Sequence, residues 1–301
     1  MLFTIFTATY NRADTLTRLY HSLLAQSIKD FEWIVVDDGS SDGTKFLIDS
    51  FCDDKKIKIR YFLQKNQGKH VAINNGVKMA KGELFVNIDS DDYIKPLFLE
   101  KLYSYWIEIS IAERSKLTGV MTSSCMKVGN KESSVGRDWP KKIIISNYID
   151  IANRLYVVGD KHGFIRTELM RKYPFPFFPS EKFMTEAVVM YKIAQKYGTV
   201  FVDERLIVVE YRDDGLSKNI RKVFRDNPKG SVLYRYMMIT MDYDFPFKQR
   251  IVDQAQYFAS LYFSHPKEFS FGTIKKIKCK WLFFASLPLA LVMIIHDSTY
   301  S

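Results

Sequence analysis

The chain has few cysteines for its length, and their spacing excludes two classes of site. Only Cys52, Cys125 and Cys279 occur in 301 residues, and they form no Cys-x-x-Cys pair. An odd, widely spaced set predicts neither a disulfide framework nor a structural zinc site. The cysteine content therefore favours a reducing, cytoplasmic setting.

Targeting and membrane-spanning signals are also missing. Met1–Ile5 enters a strand-like run without a basic leader or a small-residue cleavage site, which argues against secretion. The apolar run 281–295 is short for a membrane span. With 47% hydrophobic residues, the chain is expected to be globular and to form one large domain or two ordinary ones.

The chain is basic, with a formal net charge of +10 and a pI near 9.2. This charge favours an anionic partner such as a nucleotide, a phospholipid surface or a nucleic acid. Nucleic acid ranks last, because no recognisable module combines basic and aromatic residues as such binding requires. We therefore expect no nucleic-acid partner.

Strand-like and helix-like segments alternate along the first hundred residues, which is typical of a parallel sheet. Strands are predicted at 2–7, 32–36, 57–63 and 84–88, with amphipathic helices between them. Further strands are predicted at 117–126, 199–202 and 206–211, and helices at 96–112, 184–197, 231–241 and 247–263. The predicted fold class is α/β, with a doubly wound, mostly parallel sheet covered by helices on both faces.

Two acidic clusters follow predicted strands. Asp37-Asp38-Gly39-Ser40-Ser41-Asp42-Gly43 follows the strand at 32–36, and Asp89-Ser90-Asp91-Asp92 follows the strand at 84–88. Ligands bind beyond the carboxyl ends of the strands in open α/β sheets, so both clusters are candidates for one site. The alternative for the first cluster is an ordinary turn and helix cap, and for the second an exposed turn.

Three carboxylates within four residues repel one another unless a cation compensates their charge. Oxygen-only ligands favour Mg²⁺ or Mn²⁺, and such an ion retains open positions for diphosphate oxygens. The second cluster therefore predicts a divalent metal site.

These clusters, together with Thr7-Ala8-Thr9-Tyr10-Asn11-Arg12 and Gly68-Lys69, resemble family 2 glycosyltransferases of the GT-A fold, of the kind found in bacterial surface-polysaccharide synthesis. The resemblance covers residues 1 to about 220. It implies that donor-binding residues line a nucleotide-sugar pocket and that Asp38 contacts the uracil or ribose. The residues given this role are Thr7, Thr9, Asn11, Arg12, Asp37, Asp38, Lys69, Asp89 and Asp92.

The same resemblance implies that Asp89 and Asp91 form the metal-binding Asp-x-Asp motif, with Asp91 the direct ligand of Mn²⁺ or Mg²⁺. The catalytic base of the family is a carboxylate at the start of a later helix, where this chain has Glu186. The family often has a second acid after it, whereas this chain has Ala187. Asp160, in Gly159-Asp160-Lys161-His162, is the second candidate base.

The predicted organisation is a GT-A domain over residues 1–220, a helical extension over 221–274 and a tail over 275–301. The GT-A domain consists of a nucleotide-sugar-binding half, 1–115, and an acceptor-binding half, 116–220. In the tail, lysines precede an apolar, aromatic run, which predicts an anchor on the inner face of the cell membrane. The alternative is a buried terminal helix.

Together with the resemblance, these features predict a metal-dependent glycosyltransferase, and the resemblance implies that it inverts the anomeric configuration. Its donor would be a nucleotide-diphospho-sugar, in this family most often a UDP-sugar, and its acceptor a lipid-linked saccharide of capsule, O-antigen or exopolysaccharide synthesis. Two other classes stay open: a nucleotidyltransferase, and a membrane-associated protein that binds a nucleotide-sugar without catalysis. A nucleotidyltransferase would have a glycine-rich phosphate loop, and 9–12 contains no glycine.

Overall fold

The computed structural model describes residues 1–128, 131–134, 141–155, 157, 159–210, 220–264 and 280–299. The predicted loop at 212–219 and the lysines at 275–278 lie outside these residues. The strands are β1 (Phe3–Thr9), β2 (Phe31–Asp37), β3 (Lys58–Leu63), β4 (Leu84–Asn87), β5 (Tyr93–Ile94), β6 (Leu117–Val128), β7 (Lys131–Ser134), β8 (Ile143–Ser146), β9 (Lys161–Arg166) and β10 (Gly198–Val209). The helices are α1 (Ala13–Leu24), α2 (Thr44–Asp53), α3 (Lys69–Met79), α4 (Phe98–Ile107), α5 (Ile111–Arg114), α6 (Tyr148–Asn153), α7 (Thr167–Lys172), α8 (Ala187–Ala194), α9 (Ile220–Asp226), α10 (Pro228–Thr240), α11 (Phe247–Ser264) and α12 (Lys280–Thr299).

The strands join one mixed sheet in the order β3-β2-β1-β4-β9-β6-β10-β5. Within it, β3, β2, β1 and β4 are parallel neighbours, and β6 and β10 pair in parallel. Strand β9 lies antiparallel between β4 and β6, so those six strands all run in one direction. The predicted doubly wound, mostly parallel sheet is confirmed.

Helices cover both faces of the sheet because successive strand residues point to opposite sides. Phe3, Ile5 and Trp33 lie in a buried cluster with residues of α1, α2 and α4. Phe6 points to the other face, where α3 packs so closely that a Cβ added to Gly76 would be 2.2 Å from the Phe6 ring. These apolar contacts fix the sheet from which the candidate site projects.

The carboxyl ends of the parallel strands bring the two acidic clusters to one edge of the sheet. Thr9 pairs with Asp37 across β1 and β2, and Phe6 pairs with Asn87 across β1 and β4. Because β9 runs in the opposite direction, it begins with Lys161 at this same edge.

Two sequence predictions about regular structure were wrong. The segment 199–202 and residues 206–209 of the second predicted segment belong to one strand, β10, whose pairing with β6 shifts between Val202 and Ile207. The polar residues between them form an irregularity, not a turn, and the Glu204 carboxylate there accepts hydrogen bonds from Lys101 (3.0 Å) and Tyr105 (2.8 Å). The helix predicted at 96–112 is interrupted, and its residues form α4 and the start of α5.

The chain forms two compact units, residues 1–175 with 189–212, and residues 176–188 with 213–301. The second unit contains α9 to α12, which confirms the predicted helical C-terminal region. Its α10 begins at a buried carboxylate, since the Glu181 oxygens accept hydrogen bonds from the backbone N–H of Lys229 (2.6 Å) and Gly230 (2.8 Å). The domain boundaries predicted at 220 and 274 stay a prediction.

The apolar run near the C-terminus forms α12. Within the described parts of the chain, every helix falls short of the length and apolar character that crossing a bilayer requires.

Candidate functional site

Three aspartates gather in the turn after β4. Carboxylate oxygens of Asp89, Asp91 and Asp92 lie within 4.8 Å of one another, and the Asp92 backbone N–H donates to the Asp89 carbonyl oxygen (3.1 Å). The Asp92 side chain is buried, whereas the other two are partly exposed. Such a set of convergent oxygens suits a hard divalent cation.

The electrostatics of this acidic turn also fit a cation. Burial, together with the charges of Asp89 and Asp91, raises the pKa of Asp92 to about 8. Burial and the charge of Asp89 raise the pKa of Asp91 as well. Three ionised carboxylates are therefore unfavourable here without a compensating positive charge, which a divalent cation would supply.

Lys69 compensates one of the three carboxylates. As the first residue of α3, it places its Nζ 2.6 Å and 2.8 Å from the two oxygens of Asp89. Burial acts to raise the pKa of Asp89, but the Lys69 ammonium overrides this and lowers it. A bound cation would therefore stabilise the ionised forms of Asp91 and Asp92 more than that of Asp89.

Asp38 holds the loop that leads to Lys69. Its Oδ1 accepts hydrogen bonds from the Gln64 side chain and the Gln67 backbone, and its Oδ2 accepts one from the Gly68 backbone, each at 2.8 Å. Gly68 has a φ of +96°, a conformation that favours glycine. Asp38 therefore fixes the position at which α3 and Lys69 begin, and its predicted contact with a nucleotide stays a prediction.

Asp37 is bonded within the protein in the same way. Its Oδ1 accepts a hydrogen bond from the Ser40 backbone N–H (2.7 Å), and its Oδ2 accepts one from the Tyr61 hydroxyl (2.8 Å). Burial, with this bond and the Asp37 charge, raises the pKa of Tyr61. The Tyr61 phenol therefore stays neutral and remains a donor to Asp37.

The segment after β1 shapes the neighbouring loop. Asn11 adopts a positive φ of 51°, its backbone N–H donates to the Ser40 hydroxyl, and its Oδ1 accepts from the Ser41 backbone N–H, both at 2.8 Å. Asp42 accepts from the backbone N–H of Ala13 (3.1 Å) and Thr44 (3.0 Å), which joins the starts of α1 and α2. This agrees with the interpretation of the first acidic cluster as a turn and helix cap.

The threonines and the arginine of this segment differ in their surroundings. The Thr7 side chain is fully buried and its hydroxyl accepts a hydrogen bond from the Trp33 indole (3.1 Å), and its predicted role in the nucleotide pocket stays a prediction. Thr9 is also buried, and its carbonyl oxygen accepts from the Asp38 backbone (2.8 Å). Arg12 is near the acidic turn, where its charge acts to lower the pKa of Asp91.

Sequence reasoning missed two residues that contact the acidic turn, Arg18 and Glu210. The Arg18 guanidinium donates to the Asp91 carbonyl oxygen (2.6 Å), pairs with the Glu210 carboxylate and lies 4.8 Å from the centre of the Tyr93 ring. The Glu210 backbone N–H in turn donates to the Asp92 carboxylate (3.3 Å). The end of β10 and helix α1 thus hold the turn from both sides.

Asp160 lies near the start of β9, at the edge of the sheet that carries the acidic turn. Its side chain is exposed. The charge of His162 acts to lower the pKa of Asp89, so β9 begins close to the triad. Burial lowers the pKa of Lys161 to about 8, and its ammonium donates to the carbonyl oxygens of Val157 (2.7 Å) and Gly159 (3.0 Å).

Glu186 belongs to the second unit. It is exposed and directly precedes α8, at whose start the Thr185 hydroxyl accepts a hydrogen bond from the Ala187 backbone (3.4 Å). The buried Glu181 caps α10 instead of facing solvent. Glu186 therefore lies beside a helix start, as predicted, and its role as the base stays a prediction.

Comparison with known proteins identifies a family and several relatives, each similar to part of the chain. The model of glycosyl transferase family 2 matches residues 4–111. An uncharacterized glycosyltransferase of Nostoc sp. is 34% identical over 121 residues, which cover 40% of this chain and 36% of that protein. The putative teichuronic acid biosynthesis glycosyltransferase TuaG of Bacillus subtilis is 37% identical over 112 residues, 37% of this chain and 44% of the relative. The chain thus spans less than half the length of these curated relatives.

Similarity to solved structures extends over nearly the whole chain. S. aureus TarS in complex with UDP-GlcNAc superposes with a TM-score of 0.63 at 19% identity, covering 98% of this chain and 82% of that one. A Pyrobaculum calidifontis mannosyltransferase in complex with GDP-Man and Mn²⁺ has a TM-score of 0.58 at 18% identity, covering 98% and 87%. At these identities the likeness establishes the fold. The chain therefore has the GT-A fold, and its residues 4–111 match the model of glycosyl transferase family 2.

Proposed function

We propose that this protein is a metal-dependent glycosyltransferase that moves a sugar from a nucleotide-diphospho-sugar to a saccharide acceptor. The observation that supports this most strongly is the gathering of Asp89, Asp91 and Asp92 beside Lys69 at the carboxyl edge of a GT-A sheet. Two solved structures of the same fold support a nucleotide-sugar donor, since one holds UDP-GlcNAc and the other holds GDP-Man with Mn²⁺.

Asp89 and Asp91 would hold the cation, Mn²⁺ or Mg²⁺, with Asp91 as the direct ligand and Asp92 beside them on the donor side. When bound, such an ion supplies Lewis-acid neutralisation of the charge that develops on the departing nucleotide diphosphate. Lys69 adds a positive charge at the first turn of α3, where the helix dipole also favours an anion. The Asp38 bonds keep this helix start in place before the donor arrives.

In the proposed reaction, Glu186 accepts the proton of the attacking acceptor hydroxyl, with Asp160 as the second candidate. A single displacement at the anomeric carbon forms the new glycosidic bond, breaks the bond to the nucleotide diphosphate and inverts the configuration. Because the base acts only as attack proceeds, it contributes to turnover more than to donor binding.

The acceptor proposed is a lipid-linked saccharide of a cell-surface polysaccharide, used at the inner face of the cell membrane. The teichuronic acid relative supports the polysaccharide class, and the basic composition of the chain supports an anionic surface. The donor is proposed to be a UDP-sugar because a solved neighbour holds one.

A thermal-shift panel of UDP, GDP, CMP and dTDP, each with and without Mn²⁺, tests this proposal. A ligand that binds only the native state raises the melting temperature, so UDP with Mn²⁺ is expected to give the largest increase. An increase that does not depend on the metal, or none with any nucleotide, would contradict the proposed donor site. Donor hydrolysis, measured as released UDP, separates an enzyme from a non-catalytic binder.

Arg18→Lys is expected to weaken Mn²⁺ binding by about 10- to 100-fold, as loss of a residue that orients a ligand group typically does. A lysine keeps the positive charge, but its side chain is one atom shorter and does not place a donor where the Arg18 Nη2 atom contacts both the Glu210 carboxylate and the Asp91 carbonyl oxygen. The measurement is calorimetric titration of Mn²⁺ in the presence of UDP.

The matched control is Arg114→Lys, since Arg114 also donates to backbone carbonyl oxygens, those of Ile107 and Ile109, away from the acidic turn. Equal Mn²⁺ affinity in both variants and the wild type would show that Arg18 does not position the turn.

A further inference from the structure

One face of α12 is built for packing inside the second unit. Leu282, Ser286 and Ala290 are buried at intervals of four residues, which places them in one row along the helix. Helices α11 and α12 pack together within this unit. The buried row, with its small serine and alanine side chains, is therefore the packing face of α12.

The opposite side of α12 exposes large apolar side chains. We call this exposed apolar surface the lipid face, and it consists of Phe284, Leu287, Leu291, Val292 and Ile295. Phe284 is 74% exposed, Leu291 58% and Val292 61%. A continuous apolar surface of this kind marks an interaction site.

The charge of the surrounding sequence indicates which partner covers this face. The stretch from residue 269 to residue 296 contains no aspartate or glutamate, whereas Lys275, Lys276, Lys278 and Lys280 precede the apolar run. An anionic bilayer offers an apolar interior next to negatively charged headgroups and so complements both properties. A second copy of this chain carries the same +10 charge and offers no acidic group in this stretch.

We propose that α12 lies in the plane of an anionic membrane surface, with the lipid face inserted into the boundary between headgroups and acyl chains. The buried row stays against α11, so the helix does not have to leave its unit in order to bind. The inference rests on the proposed placement of the protein at a membrane, but it does not depend on which donor or acceptor is used. The chemistry recognised is a negatively charged phospholipid monolayer.

Flotation with phospholipid vesicles tests the lipid face. The wild-type protein is expected to float with equimolar phosphatidylcholine and phosphatidylglycerol and to bind pure phosphatidylcholine much less. Leu291→Asp/Val292→Asp should reduce binding to the anionic vesicles by at least about tenfold, because two side chains lose their apolar burial. The single variant Leu291→Gln provides a milder test with a smaller expected loss.

The matched control replaces Phe46 with aspartate, because Phe46 is 80% exposed on α2 in the other unit. This control should bind vesicles as the wild type does. Equal flotation of the wild type and both lipid-face variants would overturn the proposal, as would wild-type protein that does not float at all. A dimer of the wild type that Leu291→Asp/Val292→Asp dissociates would assign the face to a second copy and overturn it too.

The UDP and Mn²⁺ thermal shift, measured on the same variants, separates this inference from the proposed function. A normal shift in the lipid-face variants would show that the sheet unit is folded. Lost flotation with a normal shift would then support the lipid face. If the wild type floats and the lipid-face variant does not, but neither shows a nucleotide shift, the glycosyltransferase proposal fails while the membrane inference stands.

Discussion

Asp91→Asn is expected to lower the rate of sugar transfer by on the order of 10³-fold, equivalent to about 4 kcal/mol of transition-state stabilisation. Asparagine has nearly the shape of aspartate but lacks the negative charge that makes Asp91 a strong cation ligand. The Mn²⁺-dependent rise in melting temperature with UDP should disappear in the same variant. Product formation from a radiolabelled nucleotide-sugar provides the rate measurement.

The metal-free melting temperature distinguishes this effect from damage to the fold. Burial and the charge of Asp89 raise the pKa of Asp91, so the folded state disfavours its ionised form. Removing that charge is therefore expected to leave the metal-free melting temperature equal or higher. Asp49→Asn is the matched control, because it removes a carboxylate that pairs with Lys45 on the surface of α2. Full transfer activity in the Asp91→Asn variant would exclude Asp91 as a metal ligand.

The sheet could be predicted because its strands are unbroken apolar runs. Ile34, Val35 and Val36 are all buried, as expected for a strand covered on both faces. Parallel pairing then forces the carboxyl ends of β1, β2 and β4 to one edge, so two motifs separated by about fifty residues in the sequence meet there. Here the local hydrophobic pattern of the strands agrees with the parallel pairing of the sheet. The sequence therefore indicated where the candidate site lies.

The direction of β9 could not be predicted in the same way. Its segment is short, and nothing in its composition distinguishes a strand that runs parallel from one that runs antiparallel between β4 and β6. The close approach of these strands is visible only in the structure, where a Cβ added to Gly163 would lie 2.0 Å from the Val120 carbonyl oxygen. Glycine is required there by the neighbouring backbone and not by a turn.

Arg18 and Glu210 escaped detection because their pairing is long-range. They are 192 positions apart, and each alone resembles an ordinary polar residue, one within α1 and one after an apolar strand. Single-sequence reasoning finds functional groups by local context, such as a strand followed by acids. A residue that orients a site from a distant helix gives no such local signal.

Asp37 and Asp38 show a second limit of prediction from the sequence, which concerns the contacts that a correctly located motif makes. Their position after β2 indicated ligand contacts, yet each carboxylate accepts two or three hydrogen bonds from the protein itself. Acidic residues at strand ends can build the loops around a site as well as contact its ligand. Which of these they do depends on donors that come from elsewhere in the chain, here the loop 64–68 for Asp38 and the Tyr61 hydroxyl for Asp37.

Glu186→Gln is expected to lower turnover by about 10²- to 10⁴-fold while donor binding changes little, as loss of a general base does. Glutamine keeps the shape and polarity of the side chain but cannot accept the acceptor proton. The residue is exposed and lies before α8, so the substitution should not disturb packing. Single-turnover rates, together with the UDP and Mn²⁺ thermal shift, separate chemistry from binding.

Asp160→Asn is the matched comparison, because Asp160 is also an exposed carboxylate but belongs to the sheet unit, next to β9. If Glu186 is the base, the Asp160 variant should lose little turnover and keep the pH dependence of the wild type. Glu186→Gln should in contrast lose most of its turnover. A large loss in Asp160→Asn with a normal rate in Glu186→Gln would transfer the base to β9, beside the triad itself.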